Sequence, residues 1–127
     1  MTIIHNPQVL GVPPSYSHGI EVPTGARTLY TAGQVGWDTN GNIEDGIAAQ
    51  TKLAFANLRS VLQSAGMDLE NIVKTTIYLT NLADYPEYAR VRSEILGTTK
   101  PASTLVVVKQ LVKPELLVEI EAIAVAE

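Results

Sequence analysis

The chain contains no cysteine and only two histidines among its 127 residues. The lack of cysteine excludes disulfides, thiolate metal sites and a cysteine nucleophile. His5 and His18 are too few and too far apart in sequence for a metal site, which normally needs three or four ligands at a recognisable spacing. We therefore expect no metal and look for chemistry first among the carboxylates.

Charge is also scarce. Only 17% of the residues are charged, and the net charge is −4. Sequence-independent affinity for nucleic acid comes mainly from Lys and Arg, so no nucleic-acid partner is expected. Hydrophobic residues reach 46%, which is high for a small monomer with a large surface to cover. We expect part of that apolar surface to contact another subunit.

Long hydrophobic runs are missing as well. No stretch approaches the roughly 18 apolar residues that a membrane span requires. The first residues, MTIIHNPQVL, lack a basic segment followed by an apolar one, as a signal peptide would have. We expect a soluble cytoplasmic protein, bacterial in origin, with no membrane partner. The length predicts one domain over residues 1–127.

Hydrophobic periodicity predicts the order β-β-α-β-α-β-β. The predicted strands are 16–22, 28–35, 72–80, 102–110 and 117–125, and the first two are expected to form a hairpin through residues 23–25. One helix is predicted over 46–65 with Gly66 as its cap, and a second is predicted between a capping Asp84 and Gly97. This order favours an α+β fold with a mixed sheet and both helices on one face.

The last predicted strand carries two carboxylates within an apolar run. Side chains alternate along a strand, so Glu119 and Glu121 share one face with Leu117 and Ile123. A carboxylate is seldom buried without a partner, because desolvating the ion costs several kcal/mol. Glu119 and Glu121 are therefore the first candidates for chemistry, and structural ion pairs at a sheet end or subunit contact are the alternative.

Four segments together resemble the Rid (YjgF/YER057c/UK114) family of reactive-imine deaminases. They are PSYSHG at 14–19, TAGQVG at 31–36, IVKTTIYL at 72–79, and PAST at 101–104 followed by VEIEAIA at 118–124. The resemblance implies a chorismate-mutase-like α+β fold, assembled as a homotrimer around a β-barrel with three clefts between subunits. It also implies hydrolysis of imino or enamino acids to a keto acid and ammonia, without any cofactor.

The same resemblance assigns roles to individual positions. It implies that Tyr16 shapes the cleft, that the backbone of Gly33 approaches the ligand, and that Glu119 orients or activates water. Trp37 would add an aromatic wall for a larger or flatter ligand, unless it serves in packing or subunit contact. His18 could assist acid-base chemistry, although a structural histidine is the simpler interpretation.

The chain departs from the family at the position that matters most for an acidic substrate. Where the family has an arginine that grips the substrate carboxylate, this chain has Ser103, which supplies no charge. Leu105 stands in place of a family cysteine and Ala89 in place of an asparagine. We expect Glu119 to lie beside Leu105 and Val107, and such apolar neighbours would raise its pKa.

Other groups could compensate for the missing arginine. Arg27, Arg90 and Arg92 could supply a substitute clamp, and solvated helix charge is the alternative interpretation for them. Ser103 is a weak candidate nucleophile, because no histidine base with an acid partner is evident.

The leading functional hypothesis is a homotrimer that binds a small unsaturated amino or keto compound between subunits. As an enzyme it would hydrolyse an enamine or imine, using Glu119 and water, and would differ from typical 2-iminopropionate deaminases. The alternative is a noncatalytic small-molecule-binding or regulatory trimer. A ribonuclease activity is disfavoured by the acidic charge.

Overall fold

A computed structural model describes residues 1–127 and shows two α-helices packed on a mixed β-sheet. The strands are β1 (Ile3–His5), β2 (Gly19–Glu21), β3 (Arg27–Tyr30), β4 (Gln34–Val35), β5 (Ile72–Leu79), β6 (Ala102–Val107) and β7 (Val118–Ala126). The helices are α1 (Ile47–Ser64) and α2 (Tyr85–Leu96), with short 3-10 turns at Gln8–Leu10, Leu69–Asn71 and Leu82–Asp84. Neither α-helix combines the length and the apolar character that crossing a membrane requires.

The main sheet has the strand order β3-β7-β5-β6, and β4 also pairs with β7. Strands β5 and β6 are parallel and joined through α2, whereas every pairing of β7 is antiparallel. A parallel pair needs a crossover connection, which α2 provides. The sheet is therefore mixed, as the element order predicts, and β7 is its central strand.

The hairpin expected from residues 16–22 and 28–35 does not form. Strand β2 pairs instead with β1, in a separate two-stranded sheet, and β3 pairs with the distant β7. Strand β1 was not predicted, because a segment of only three residues shows no pattern. Turn residues indicate that the chain reverses direction, but they do not identify the partner of each strand. Here β3 forms its backbone hydrogen bonds with the long strand β7.

Both helices cover the same face of the sheet. The core cluster takes Leu58 and Leu62 from α1, Tyr88 from α2, and alternate residues of β5 and β7. The β7 members, namely Val118, Ile120, Ala122 and Ala124, are all buried. This confirms the predicted alternation, which leaves the two carboxylates on the face without helices.

The helix ends agree with the prediction, including Gly97 after α2, except for the cap at the start of α2. Gly66 follows α1 with φ of 72°, a conformation that glycine adopts without strain. At α2 the predicted cap is wrong, because Asp84 makes no side-chain capping bond. The side chain of Asn81 instead accepts a hydrogen bond from the Ala83 amide at the preceding 3-10 turn, and the helix continues from that turn.

One buried glutamine fixes the start of β7. Gln50, 1% exposed, donates from Nε2 to the carbonyl oxygens of Glu44 at 3.0 Å and Glu115 at 2.9 Å. Its Oε1 accepts from the Leu117 amide at 2.8 Å. The bonds with Glu115 and Leu117 tie α1 to the loop that leads into β7 and so set the position of the strand that carries the carboxylates.

Candidate functional site

The sheet face without helices carries a small polar group, here called the Glu119 face and defined by Tyr78, Glu119 and Glu121. In the register of β5 and β7, Tyr78 lies opposite Glu119. The Tyr78 hydroxyl reaches diagonally and donates to Glu121 Oε1 at 2.7 Å. An irregularity between Ile72 and Lys74 turns Ile72 into the core, so that the rest of β5 alternates in phase with β7.

Gly33 lies directly against Glu119. Between the pairs Tyr30–Ile123 and Gln34–Ile120, three residues of the β3–β4 segment face two of β7, which defines a β-bulge. A Cβ added at Gly33 would lie 2.7 Å from Cδ and 2.8 Å from Cγ of Glu119, and closer still to its Oε2. Any larger residue at position 33 would force the Glu119 carboxylate to move. Gly33 was predicted to approach a ligand closely, and within the chain it approaches the Glu119 side chain.

The two carboxylates differ in their surroundings. Partial burial raises the pKa of Glu119, and the nearby charge of Glu121 raises this pKa further. The hydrogen bond to Glu121 raises the pKa of Tyr78, and burial adds to the effect. Glu121 therefore has a donor, whereas no hydrogen bond contributes to the pKa of Glu119. Of the two carboxylates, Glu119 is therefore the one with a raised pKa and without the Tyr78 donor.

A second group of the predicted residues lines a pocket of about 130 Å³ on the helix side of the sheet. This Tyr16 pocket is formed by Ser15, Tyr16, Ile77, Tyr85, Arg92, Ser103 and Leu105. The neighbouring Ser17 is held against β6, where its amide donates to the Pro101 carbonyl at 3.1 Å and its hydroxyl donates to the Lys100 carbonyl at 2.5 Å. This anchoring keeps Tyr16 at the mouth of the pocket.

The two groups lie on opposite faces of one sheet. Ser103 and Leu105 are register partners of Thr75 and Ile77, which are buried under the helices. Glu119 is instead the register partner of Tyr78. Glu119 and Leu105 of one chain therefore do not meet, because strand alternation separates them, and their expected proximity would have to arise between two copies. The same alternation separates Val107 from Glu119.

Two further candidates, His18 and Trp37, lie outside the Tyr16 pocket. The His18 ring makes an edge contact with the Tyr16 ring at 5.6 Å between centroids, and its Nε2 is buried without a partner. Trp37 is in a turn closed by a bridge to Ile43, and its carbonyl accepts from Asn57 Nδ2 at 3.0 Å. Neither residue lines the Tyr16 pocket.

A larger cavity, about 410 Å³, is elsewhere. It lies between the two-stranded sheet and the end of β7, where Ile4, Lys100 and Val125 contribute to its wall. None of the predicted site residues lines it. No group of three or more His, Asp or Glu residues is placed to hold a metal ion. The predicted residues that lie together are therefore those of the Glu119 face and those of the Tyr16 pocket.

Comparison with known proteins shows the family to which the chain belongs. A sequence profile described as Endoribonuclease L-PSP matches residues 8–126. A crystal structure of a Rid-family protein of unknown function from Yersinia pestis superposes with a TM-score of 0.87, at 35% identity, covering 98% of each chain. The chain belongs to the Rid (YjgF/UK114) family.

The relatives of this Rid protein include a RutC family protein and an imine deaminase. A RutC family protein of Pyrococcus abyssi is 38% identical over 114 residues, covering 88% of this chain and 87% of its own length. A 2-iminobutanoate/2-iminopropanoate deaminase of Dermatophagoides farinae is 32% identical over 123 residues, covering 95% and 91%.

Two residues of this Rid protein were not singled out as site candidates by sequence reasoning. Tyr78 pairs with the carboxylates, and Tyr85 lines the Tyr16 pocket. Alternation along β5 indicated that Tyr78 shares a face with Lys74 and Thr76, but only the register with β7 shows that this is the carboxylate face. Tyr85 opens α2, and nothing local to it indicated which strand it would approach.

Proposed function

We propose that the protein is a homotrimer in which the Tyr16 pocket of one copy meets the Glu119 face of the next. Support comes from the separation of these groups on opposite faces of one sheet. Further support comes from half-buried carboxylates on a face that the chain itself leaves without helices. Strands from three copies would close a β-barrel and cover that face, leaving three clefts between subunits.

In each cleft the proposed reaction is the cofactor-independent hydrolysis of a small enamine or imine. An enamine reacts as its imine tautomer, and the imine nitrogen is protonated at the start. Water adds to the carbon of this C=N bond while one water proton passes to the Glu119 carboxylate, giving a neutral carbinolamine. The protonated Glu119 gives that proton to the nitrogen, the C–N bond breaks as the C=O bond forms, and the hydroxyl proton passes to Glu119. Glu119 hands this proton to the departing ammonia, so that a ketone and an ammonium ion leave and the carboxylate is restored.

A raised pKa of Glu119 suits these steps, because a carboxyl group whose pKa lies closer to neutral pH both accepts and returns a proton readily there. This half-buried carboxylate is the observation that carries the proposal.

The substrate is a small unsaturated amino or keto compound, distinct from a typical 2-iminopropanoate. Ser103 can hydrogen-bond an oxygen but cannot provide the charged, bidentate grip of an arginine. Strand β6 therefore offers no charged partner to the carboxylate of a three-carbon imino acid. Leu105 makes the pocket wall apolar, which favours a ligand with hydrocarbon character at that end.

The uncharged Ser103 also favours a second candidate, a trimer that binds a small molecule without turnover. Ammonia release separates the two. We would generate 2-iminopropanoate, 2-aminoacrylate and an aminomuconate-type enamine in situ. The rate of ammonia release would then be compared between the wild type, Glu119→Gln and Ser103→Arg. Glu115→Gln is the matched control, because Glu115 is exposed in the loop before β7. Acceleration by the wild type and Glu115→Gln that disappears in Glu119→Gln is the expected result. No acceleration by the wild type for any substrate favours the binding protein.

The shared cleft has its own test. Tyr16→Ala and Glu119→Gln should each be inactive alone. Co-expressed in one cell, they form mixed assemblies in which some clefts combine an intact Tyr16 from one copy with an intact Glu119 from another. Recovered activity is expected. A mixture as inactive as its components, with mixed assembly shown by mass spectrometry, would contradict a cleft built from two copies.

A further inference from the structure

The four arginines of the chain are not equivalent. Arg59 is ion-paired with Asp68, and Arg90 is ion-paired with both Glu87 and Glu94. Arg27 donates to the Ala65 carbonyl at 3.2 Å. Arg92, on the same helix as Arg90, enters none of the ion pairs of the chain. Its guanidinium is therefore the one arginine head group without a charged or carbonyl partner.

Arg92 is also the only charged residue that lines the Tyr16 pocket. It is half-buried, and its Cζ lies 5.8 Å from the centroid of the Tyr88 ring. That ring is completely buried in the core. A guanidinium over an aromatic face is held by the cation–π attraction without using its N–H donors. Tyr88 thus supports Arg92 and leaves its hydrogen-bonding capacity free.

The other polar groups of the pocket are donors as well. Thr75 Oγ1 donates to Ser103 Oγ at 3.0 Å, which leaves the hydroxyl proton of Ser103 free to point elsewhere. The pocket also contains the phenols of Tyr16 and Tyr85, and no acidic side chain lines it. A half-buried cation surrounded by hydroxyl donors is matched by a ligand group that only accepts, and an ionised carboxylate is such a group.

We propose that Arg92 is the anion anchor of the Tyr16 pocket and that the ligand held there is a small monocarboxylate. The positive charge that Ser103 does not provide from the strand is provided from α2, across the pocket. The inference rests on the proposed function in that both use the same cleft, but it requires binding only. Arg92 would select ligands by their carboxylate, while Glu119 of a neighbouring copy would act on the unsaturated carbon.

Calorimetric titration of the assembled protein tests the anchor. The probes are 2-oxobutanoate, a stable keto acid, and its neutral amide, 2-oxobutanamide. We expect the wild type to bind the acid about 10- to 100-fold more tightly than the amide, the range of a hydrogen-bonded charge contact. Arg92→Ala should lose the same factor for the acid and little for the amide. Arg92→Lys should retain part of it, since lysine cannot form the bidentate contact.

Arg90→Ala is the matched control, because it removes the same charge two residues away from a site outside the pocket. It should bind the acid as the wild type does. Arg92→Gln covers the case in which Arg92→Ala does not fold, since it keeps a polar stem of similar length. Equal affinity of the acid for the wild type and for Arg92→Ala or Arg92→Gln would overturn the proposal. Failure of the wild type to bind the acid more tightly than the amide would also overturn it.

The titration also distinguishes this anchor from the proposed chemistry. Glu119→Gln should still bind 2-oxobutanoate through Arg92 even though it releases no ammonia. If the wild type shows Arg92-dependent binding without turnover of any imine, the deaminase proposal fails and the anchor stands. If imines are hydrolysed equally well by the wild type and Arg92→Ala, and the acid binds both equally, the anchor fails and the deaminase stands.

Discussion

Replacing Gly33 by alanine should disturb the Glu119 carboxylate directly. The backbone of Gly33 is not in the positive-φ region, so alanine is allowed there as far as the main chain is concerned. The new methyl group would nevertheless lie 2.8 Å from Glu119 Cγ, against about 3.4 Å for an ordinary contact. The Glu119 side chain must therefore move by at least about half an ångström at Cγ and further at its oxygens.

The expected cost is set by which atoms can move. The atoms in the way belong to a flexible side chain, so overpacking should destabilise the protein by about 1–3 kcal/mol. For a chain of this size that corresponds to a fall in Tm of roughly 4–12 °C. Proton transfer is more sensitive than stability, and a misplacement of about 1 Å can reduce a rate roughly 100-fold.

Thermal unfolding at fixed protein concentration, in two backgrounds, measures the effect. In Glu119→Gln the obstructing atoms remain, so Gly33→Ala should cost as much as in the wild type. In Glu119→Ala they are absent, so Gly33→Ala should cost almost nothing. Gly19→Ala is the control, since its added methyl group meets nothing closer than 3.9 Å. An equal cost of Gly33→Ala in both backgrounds would refute the contact as its cause.

Three further predictions concern the strand that carries Glu119. Gln50→Leu should lower stability by about 2–4 kcal/mol in urea unfolding, because three buried bonds are lost, whereas the exposed Gln63→Leu on the same helix should change it by less than about 0.5 kcal/mol. The pKa of Glu119 is raised in the folded state, so ionising this group costs stability above the ordinary glutamate pKa of about 4.3. The stability of Glu119→Gln relative to the wild type should therefore increase as the pH rises from the unfolded pKa to the folded pKa of Glu119. Below that window this advantage should be absent. In a carboxyl NMR titration Glu121→Gln should lower the pKa of Glu119, and an unchanged value would exclude the charge of Glu121 as a cause.

Patterns within one element were predictable from the sequence. Alternation along 117–125 identified which residues of β7 face the helices, and the 3.6-residue period ending at Gly66 located α1 to within a residue or two. These signals are local, since the period follows from the geometry of a single strand or helix. The family resemblance extended the prediction to the fold, and the fold of relatives confirms its mixed α+β character.

What could not be predicted depended on pairing between distant segments. The partner of β2 is β1, a three-residue strand too short to show a pattern. The face occupied by Leu105 follows from the register of β5 with β6, which leaves no trace in either segment alone. Arg92 lines the pocket while Arg90 is ion-paired, and this difference depends on how α2 packs against the sheet. Site geometry was therefore less predictable than the elements that build it.

The central position of β7 has a consequence for how the chain acquires its fold during synthesis. Strands β3 and β5 neighbour each other in the sheet only through β7, which the ribosome makes after both of them. Until Val118–Ala126 emerges, β3 has no partner in the main sheet, and closing these long loops is the slow part of folding. Glu119 and the Gly33 bulge that fits it thus come together in the same late step that completes the sheet, so a nascent chain should acquire its stability and the packed Glu119 carboxylate at one moment.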